Sequence, residues 1–312
     1  MAEATQQEAS KGKLHAPPVG ADAHDDDGHH GHGEYPFLAH HFDTPEQQFE
    51  AGKLGIWLFL VTEVLFFAGL FCAYTLYRAQ HPEVFYYAHF FLDTKWGAIN
   101  TVVLLVSSLT AAWAVRNAQM RNKQALVINI VVTILCACTF MGIKYVEYSH
   151  KFHDGLLPGK RFAPTHMAWE TESFKHKYPD AAAAAEKLVG IGLAPAGEGS
   201  DPKAAQREFA RTLPGKTKKP LVDAGLVNPR TGDVTMAPPN RTATFFGIYF
   251  FMTGLHGLHV LIGIGIWIWL LIRATKGVFN ENYFGPIDFA ALYWHLVDLI
   301  WIYLFPLLYL IH

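Results

Sequence analysis

The sequence predicts an all-α, polytopic membrane protein: five transmembrane helices in a bundle, with a polar extramembrane insert between spans three and four. Three observations carry this. Of 312 residues, 51% are hydrophobic, and they stand in long blocks rather than at amphipathic spacing. Each of five blocks is long enough to cross a hydrocarbon core, which takes about 20 apolar residues. Between the third and fourth blocks, residues 149–241 are polar and broken by prolines from Pro158 to Pro239. The chain therefore divides into a tail (1–50), spans one to three (51–148), the insert (149–241) and spans four and five (242–312).

The tail carries His15, His24, His29, His30, His32, His40 and His41 with the run Asp25, Asp26, Asp27. Such composition predicts disorder. A metal-collecting tail is the rival reading, but no fixed ligand spacing supports it. No cleavable signal peptide or Arg-rich transit sequence is visible, so the first apolar block is expected to stay as an anchor. Asp43 or Thr44 is placed to cap a short interfacial helix with Pro45 at its first position.

The five spans read as roughly 54–77, 96–116, 124–148, 243–272 and 287–311. Span one carries a carboxylate, Glu63, near its middle, where an ionised group costs at least about 2.5 kcal/mol even on lenient scales. Gly55, Thr62, Gly69 and Ala73 predict a close-packing face beside it, with Glu63 buried in protein. Span two lines up Asn100, Ser107, Ala111 and Ala114 for a helix contact. Span three ends in Lys144, Glu147 and Tyr148, read as an ion pair snorkelling to the interface. The insert suggests helices at 180–188 and 202–211, with too few apolar residues for a core of its own. It is expected to lie over the membrane part or a partner. Span four sets Gly247, Gly254 and Gly265 on one stripe and His256 and His259 on another. Span five carries Asp288, His295 and Asp298 down one side, with Trp294 and Trp301 a heptad apart, and that stripe must face protein.

Positive charge sets the orientation. Arg116, Arg121 and Lys123 fill one short loop, Arg273 and Lys276 another, and Lys53 precedes span one; all fall on one side. That side is expected to be cytoplasmic, with the N-terminus, leaving the C-terminus and the insert periplasmic.

Two readings of Glu63 stay open: a proton-handling or lipid-associated group, or a neutral carboxyl bonded across helices. Burial is common to both and does not decide. His256, His259 and His295 invite a haem reading. A haem–copper centre needs more intramembrane histidines than these, and interhelical hydrogen bonding is the simpler account. Cys72, Cys136 and Cys138 all lie in apolar blocks and form no disulfide framework. No Gly-rich phosphate loop or nucleophile–base pair stands out, and no nucleic-acid partner is expected.

Three blocks, GIWLFLVTEVLFFAGLFCAY, TGLHGLHVLIG and YWHLVDLIWIYLF, resemble the hallmark segments of subunit III of haem–copper terminal oxidases, the cytochrome c oxidase family. Supporting matches are Asn100-Thr101, Ser107-Ser108, Glu147-Tyr148 and Asp154-Gly155. The resemblance covers roughly 52–155 and 242–311. It implies a non-catalytic subunit that binds no cofactor itself, with haem and copper in partner subunits. The partners would be the catalytic subunit I and the electron-entry subunit II, in a bacterial plasma membrane, with phospholipid in a cleft between the helices. Glu63 falls on the family's intramembrane carboxylate, associated with proton uptake and with protection from inactivation during turnover. His256, His259, Trp294, His295 and Asp298 fall on packing and lipid-cleft positions.

Three departures bear on the transfer. Larger members have seven spans, and this chain resembles the five-span form. Lys144 stands where an uncharged amide is usual. The insert, with about fourteen basic and ten acidic residues, has no counterpart in compact members; it is read as a contact for other respiratory subunits. Rival readings are the equivalent subunit of a quinol oxidase or nitric oxide reductase, and an independent proton or ion transporter, for which no inverted repeat is visible.

Overall fold

The computed structural model describes residues 38–39, 42–193, 201–280 and 283–311. The expectations for the tail up to residue 37 and for His40 and His41 lie outside the described residues. Five long helices have the length and hydropathy to cross a membrane: α1 (Pro45–Gln80), α3 (Thr94–Gln119), α4 (Lys123–His153), α9 (Thr242–Thr275) and α10 (Gly285–Tyr309). Short helices complete the described chain: α2 (Pro82–Ala88) between the first two spans, and α5 (Glu172–Lys177), α6 (Pro179–Leu193), α7 (Pro202–Thr212) and α8 (Gly215–Asp223) in the insert.

The starts of these helices follow from local chemistry. Thr44 accepts a hydrogen bond from the Gln47 amide and Pro45 fills the first helical position, as expected. The short interfacial helix is not a separate element, however. A proline at the first position needs no amide partner and breaks nothing, so α1 runs on as one helix into span one. Asp93 caps α3 through the Lys95 amide, and Asn122 caps α4 through the Ala125 amide, after a tight link in which Arg121 takes φ 57°.

Helices α3, α4, α9 and α10 close a ring, each packed on its two neighbours, and α1 lies outside it against α10. The face of α1 that packs is Leu60, Phe67 and Tyr74, all buried. The expected small-residue face is a misreading: a methyl at Gly55 or Gly69 would meet nothing within 4 Å, so both face outwards. Large side chains, not close backbones, join α1 to the ring. The span-four stripe fails in the same way, since Gly254 and Gly265 meet open space. The glycine that matters there is Gly263, where a Cβ would stand 2.5 Å from the Trp294 ring. In α3 the expected contact face holds: Asn100, Ser107, Ala111 and Ala114 are all buried, and Thr110 bonds Thr133 of α4 at 2.7 Å.

Where α4 leaves the bundle, Asp154-Gly155 makes the turn into the insert. Gly155 has φ +70°, and a Cβ there would sit 1.9 Å from the Ala163 carbonyl oxygen, so only glycine fits. The expected insert helices are present as α6 and α7. The insert packs through a core that it shares with the segment after α1: Trp169, Phe174, Leu188, Leu221 and Leu226 lie together with Tyr87 and Phe90. Alanine supplies what the large residues lack: Ala168, Ala181, Ala184, Ala185, Ala210 and Ala224 are buried, letting short helices approach closely. Burial pushes the Tyr87 phenol well above its ordinary range, and its hydroxyl reaches Met167 Sδ at 3.6 Å.

Candidate functional site

Two carboxylate centres stand out among the described residues, one at the edge of the ring beside α1 and one inside it. The first lies at the middle of α1. Glu63 Oε2 and His259 Nε2 of α9 are 3.0 Å apart. The other ring nitrogen, Nδ1, is 2.8 Å from the Leu255 carbonyl oxygen, which can only accept, so Nδ1 carries a hydrogen. One proton then sits on the line between Nε2 and Oε2, either on a neutral glutamic acid or on an imidazolium facing a carboxylate. The pair is a hydrogen bond between two side chains that can each carry a proton. Phe67 packs edge-on to the His259 ring at 5.4 Å, and the Tyr293 hydroxyl donates to the His259 carbonyl at 2.9 Å. The side chains of His259 and Glu63 remain 14% and 19% exposed, so the pair opens on the bundle's outer surface beside α1.

The second centre lies about 9 Å from the end of α4, counting 1.5 Å per residue back to Glu147. Lys144 Nζ donates to Glu147 Oε2 at 2.8 Å and to the Tyr309 hydroxyl at 2.7 Å, and lies 4.6 Å from the Trp301 ring centroid. Glu147 Oε1 accepts from Lys151 at 2.9 Å, Tyr249 at 2.8 Å and Tyr309 at 2.5 Å. Lys144 and Glu147 are only 7% and 6% exposed at their side chains. They do not snorkel: the ring closes over them, and tyrosines from α9 and α10 take the place that water would hold at an interface. The triad joins three spans through charge-assisted hydrogen bonds.

The remaining predicted residues stand between these centres. Trp294 is buried over Gly263, and its indole donates to the Ser107 hydroxyl at 3.0 Å. His295 Nδ1 is 2.6 Å from the Ser108 hydroxyl, so it does bond across helices. His256 does not: it is held by the rings of Phe140 at 5.6 Å and Trp301 at 5.3 Å, and neither nitrogen has a partner among the described residues. Asp298 is buried as the stripe of span five requires, and neither of its oxygens is bonded among the described residues. No group of three His, Cys, Asp or Glu side chains among the described residues converges as a metal site needs.

Lys151, Tyr249 and Tyr309 are missing from the sequence reading of these sites. Lys151 had a signal, four residues after Glu147 on the same helix. The tyrosines had none, because their contacts span 102 and 162 residues of sequence.

Curated relatives align along most of its length. A probable quinol oxidase subunit 3 from Staphylococcus saprophyticus is 22% identical over 286 residues, covering 88% of this chain and 97% of that protein. Cytochrome c oxidase subunit 3 from Loxodonta africana is 25% identical over 285 residues, covering 88% and 74%. A shorter stretch, 72 residues, is 43% identical to cytochrome c oxidase subunit 3 from Thermostichus vulcanus, covering 23% of this chain and 36% of the relative. The family model described as cytochrome c oxidase subunit III matches residues 34–156 and 234–312, which take in all five long helices and both carboxylate centres and leave out most of the insert. The chain belongs to the cytochrome c oxidase subunit III family.

Proposed function

We propose that this chain is a non-redox accessory subunit of a proton-pumping haem–copper oxygen reductase in a bacterial plasma membrane. In this reading it packs against the catalytic subunit, and the haems and copper lie in the partner subunits. The N-terminus faces the cytoplasm, and the insert and C-terminus face the periplasm. Phospholipid lies against the exposed apolar side of α1, which carries Trp57, Leu58, Val61 and Leu65.

The observation that carries the reading is the Glu63–His259 pair. Among the described residues it is the one centre where a carboxylate at mid-span has a single side-chain partner, and it stays partly exposed beside α1. A subunit that helps a neighbour keep its proton supply needs such a group; a subunit that only fills space does not. The test is Glu63→Gln in the intact oxidase. The expected result is normal assembly with altered proton uptake or a shorter catalytic lifetime, and unchanged turnover and lifetime across a pH series leave only a structural role.

A second reading replaces cytochrome c by quinol as the electron donor. It is favoured by full-length relatives named as quinol oxidase subunit 3. Co-purification of a copper-bearing electron-entry subunit supports cytochrome c, and a partner lacking that copper supports quinol.

A further inference from the structure

Where α3 begins and α4 ends, a cavity of about 120 Å³ opens between the two helices on the insert side of the bundle. Its floor is the buried end of the second polar centre, Glu147 and Lys151, which is 3% exposed. Lys144 has all its donors engaged, by Glu147, Tyr309 and the Trp301 face. Lys151 gives one bond to Glu147, lies beside the Tyr249 ring and lines the cavity, and an ammonium has three donors to place. With all three groups ionised, the triad carries one surplus positive charge in a poorly hydrated site. Such a charge is costly unless something answers it.

The rim has the opposite sign. Asp93 and Asp154 line it, one at the start of α3 and one just past the end of α4, with His150 between floor and rim. Below the rim, Trp96 and Val146, 46% and 47% exposed, turn outwards where the helices enter their apolar length. A tryptophan there marks the level of the membrane interface. A purely anionic ligand would meet the two aspartates, and a bare cation would meet Lys151. The arrangement suits a group carrying both signs, and the volume exceeds that of a single ion or water, whose share of liquid is about 30 Å³.

We propose that this cavity holds the headgroup of one zwitterionic, ammonium-bearing phospholipid. Lys151 and His150 face its phosphate, Asp93 and Asp154 face its ammonium, and Trp96 and Val146 lie along the glycerol and the first acyl carbons. The site rests on the α3–α4 geometry alone and does not depend on the oxidase reading.

The test uses the full-length chain extracted in mild detergent from membranes containing ethanolamine and glycerol phospholipids, with retained lipid counted by native mass spectrometry. The wild type is expected to keep one ethanolamine lipid through washing. Lys151→Gln and Asp154→Asn are each expected to lower that retention at least tenfold, and Asp154→Asn to shift what remains towards the glycerol lipid. Among the described residues Asp154 makes no side-chain hydrogen bond, so its variant stays informative if Lys151→Gln fails to accumulate. Equal retention in wild type and Asp154→Asn overturns the proposal, as does a wild type that keeps the glycerol lipid equally well. Displacement of the lipid by millimolar glycerophosphoethanolamine overturns the membrane source, because a soluble headgroup would then suffice.

Discussion

Glu147 and Glu63 are both carboxylates on long apolar helices, and the fold holds them in opposite ways. Glu147 takes hydrogen bonds from Lys144, Lys151, Tyr249 and Tyr309 and is 6% exposed at its side chain. Glu63 has His259 at 3.0 Å and is 19% exposed. Four donors from three helices leave no freedom for a proton to come and go, so Glu147 acts as a joint. Glu63 has one side-chain partner among the described residues, and in the proposed function it is the group that responds. A membrane protein that must bury a carboxylate for architecture surrounds it with donors; one that keeps a carboxylate for use does not.

The contrast breaks first at the joint. Glu147→Ala strips two buried lysines of their shared anion, an uncompensated charge that costs about 3–5 kcal/mol. The variant is expected to accumulate poorly and to melt well below wild type in detergent; a melt matching wild type would show that the triad holds nothing together. Next is Gly263→Ala, which touches neither carboxylate but drives a Cβ into the Trp294 ring and towards Tyr293, the residue that holds the His259 backbone. Overpacking of this kind costs about 1–3 kcal/mol. Gly265→Ala, facing open space, is expected to melt with wild type, and the difference between the two variants measures how firmly α9 and α10 are keyed.

Glu63→Gln sharpens the comparison from the other side. The amide keeps a hydrogen bond to His259 and loses only the exchangeable proton, so the stability change is expected to stay within about 1 kcal/mol by thermal melt. Smallest is Asp233→Asn in the insert. The Thr231 hydroxyl and the Arg207 guanidinium hold the Asp233 carboxyl below its usual range, so the pair is present above the normal carboxylate pKa and fades as pH falls through the lowered one. The pair lies at the surface, open to solvent on one side, and no measurable change in melting temperature is expected at neutral pH. These variants order carboxylates by what surrounds them, not by residue type.

Much of the frame is legible in the chain itself. Apolar block length gives the five spans, and Thr44-Pro45 gives the start of α1, because both signals are local. Glycine stripes mislead because a residue without a side chain does not say which way it faces: Gly254 and Gly265 share a spacing and look outwards, while Gly263 does the packing. The insert's core hides in alanines, which weigh little on a hydropathy scale. The site itself is half legible. Glu63 and His259 each stand out as polar residues in apolar helices, but their meeting spans 196 residues, and no periodicity reaches that far. Lys144 and Glu147 read as a surface pair because sequence does not show Tyr249 and Tyr309 closing over them.

In the proposed function Glu63 serves a partner through its proton while Glu147 serves the fold. The direct measurement is the number of turnovers an assembled oxidase completes before inactivation, compared between wild type and Glu63→Gln at matched subunit content. A shorter lifetime with normal assembly is the result expected. An identical lifetime at every pH tested, from a fully assembled complex, would contradict it and reduce Glu63 to a second joint.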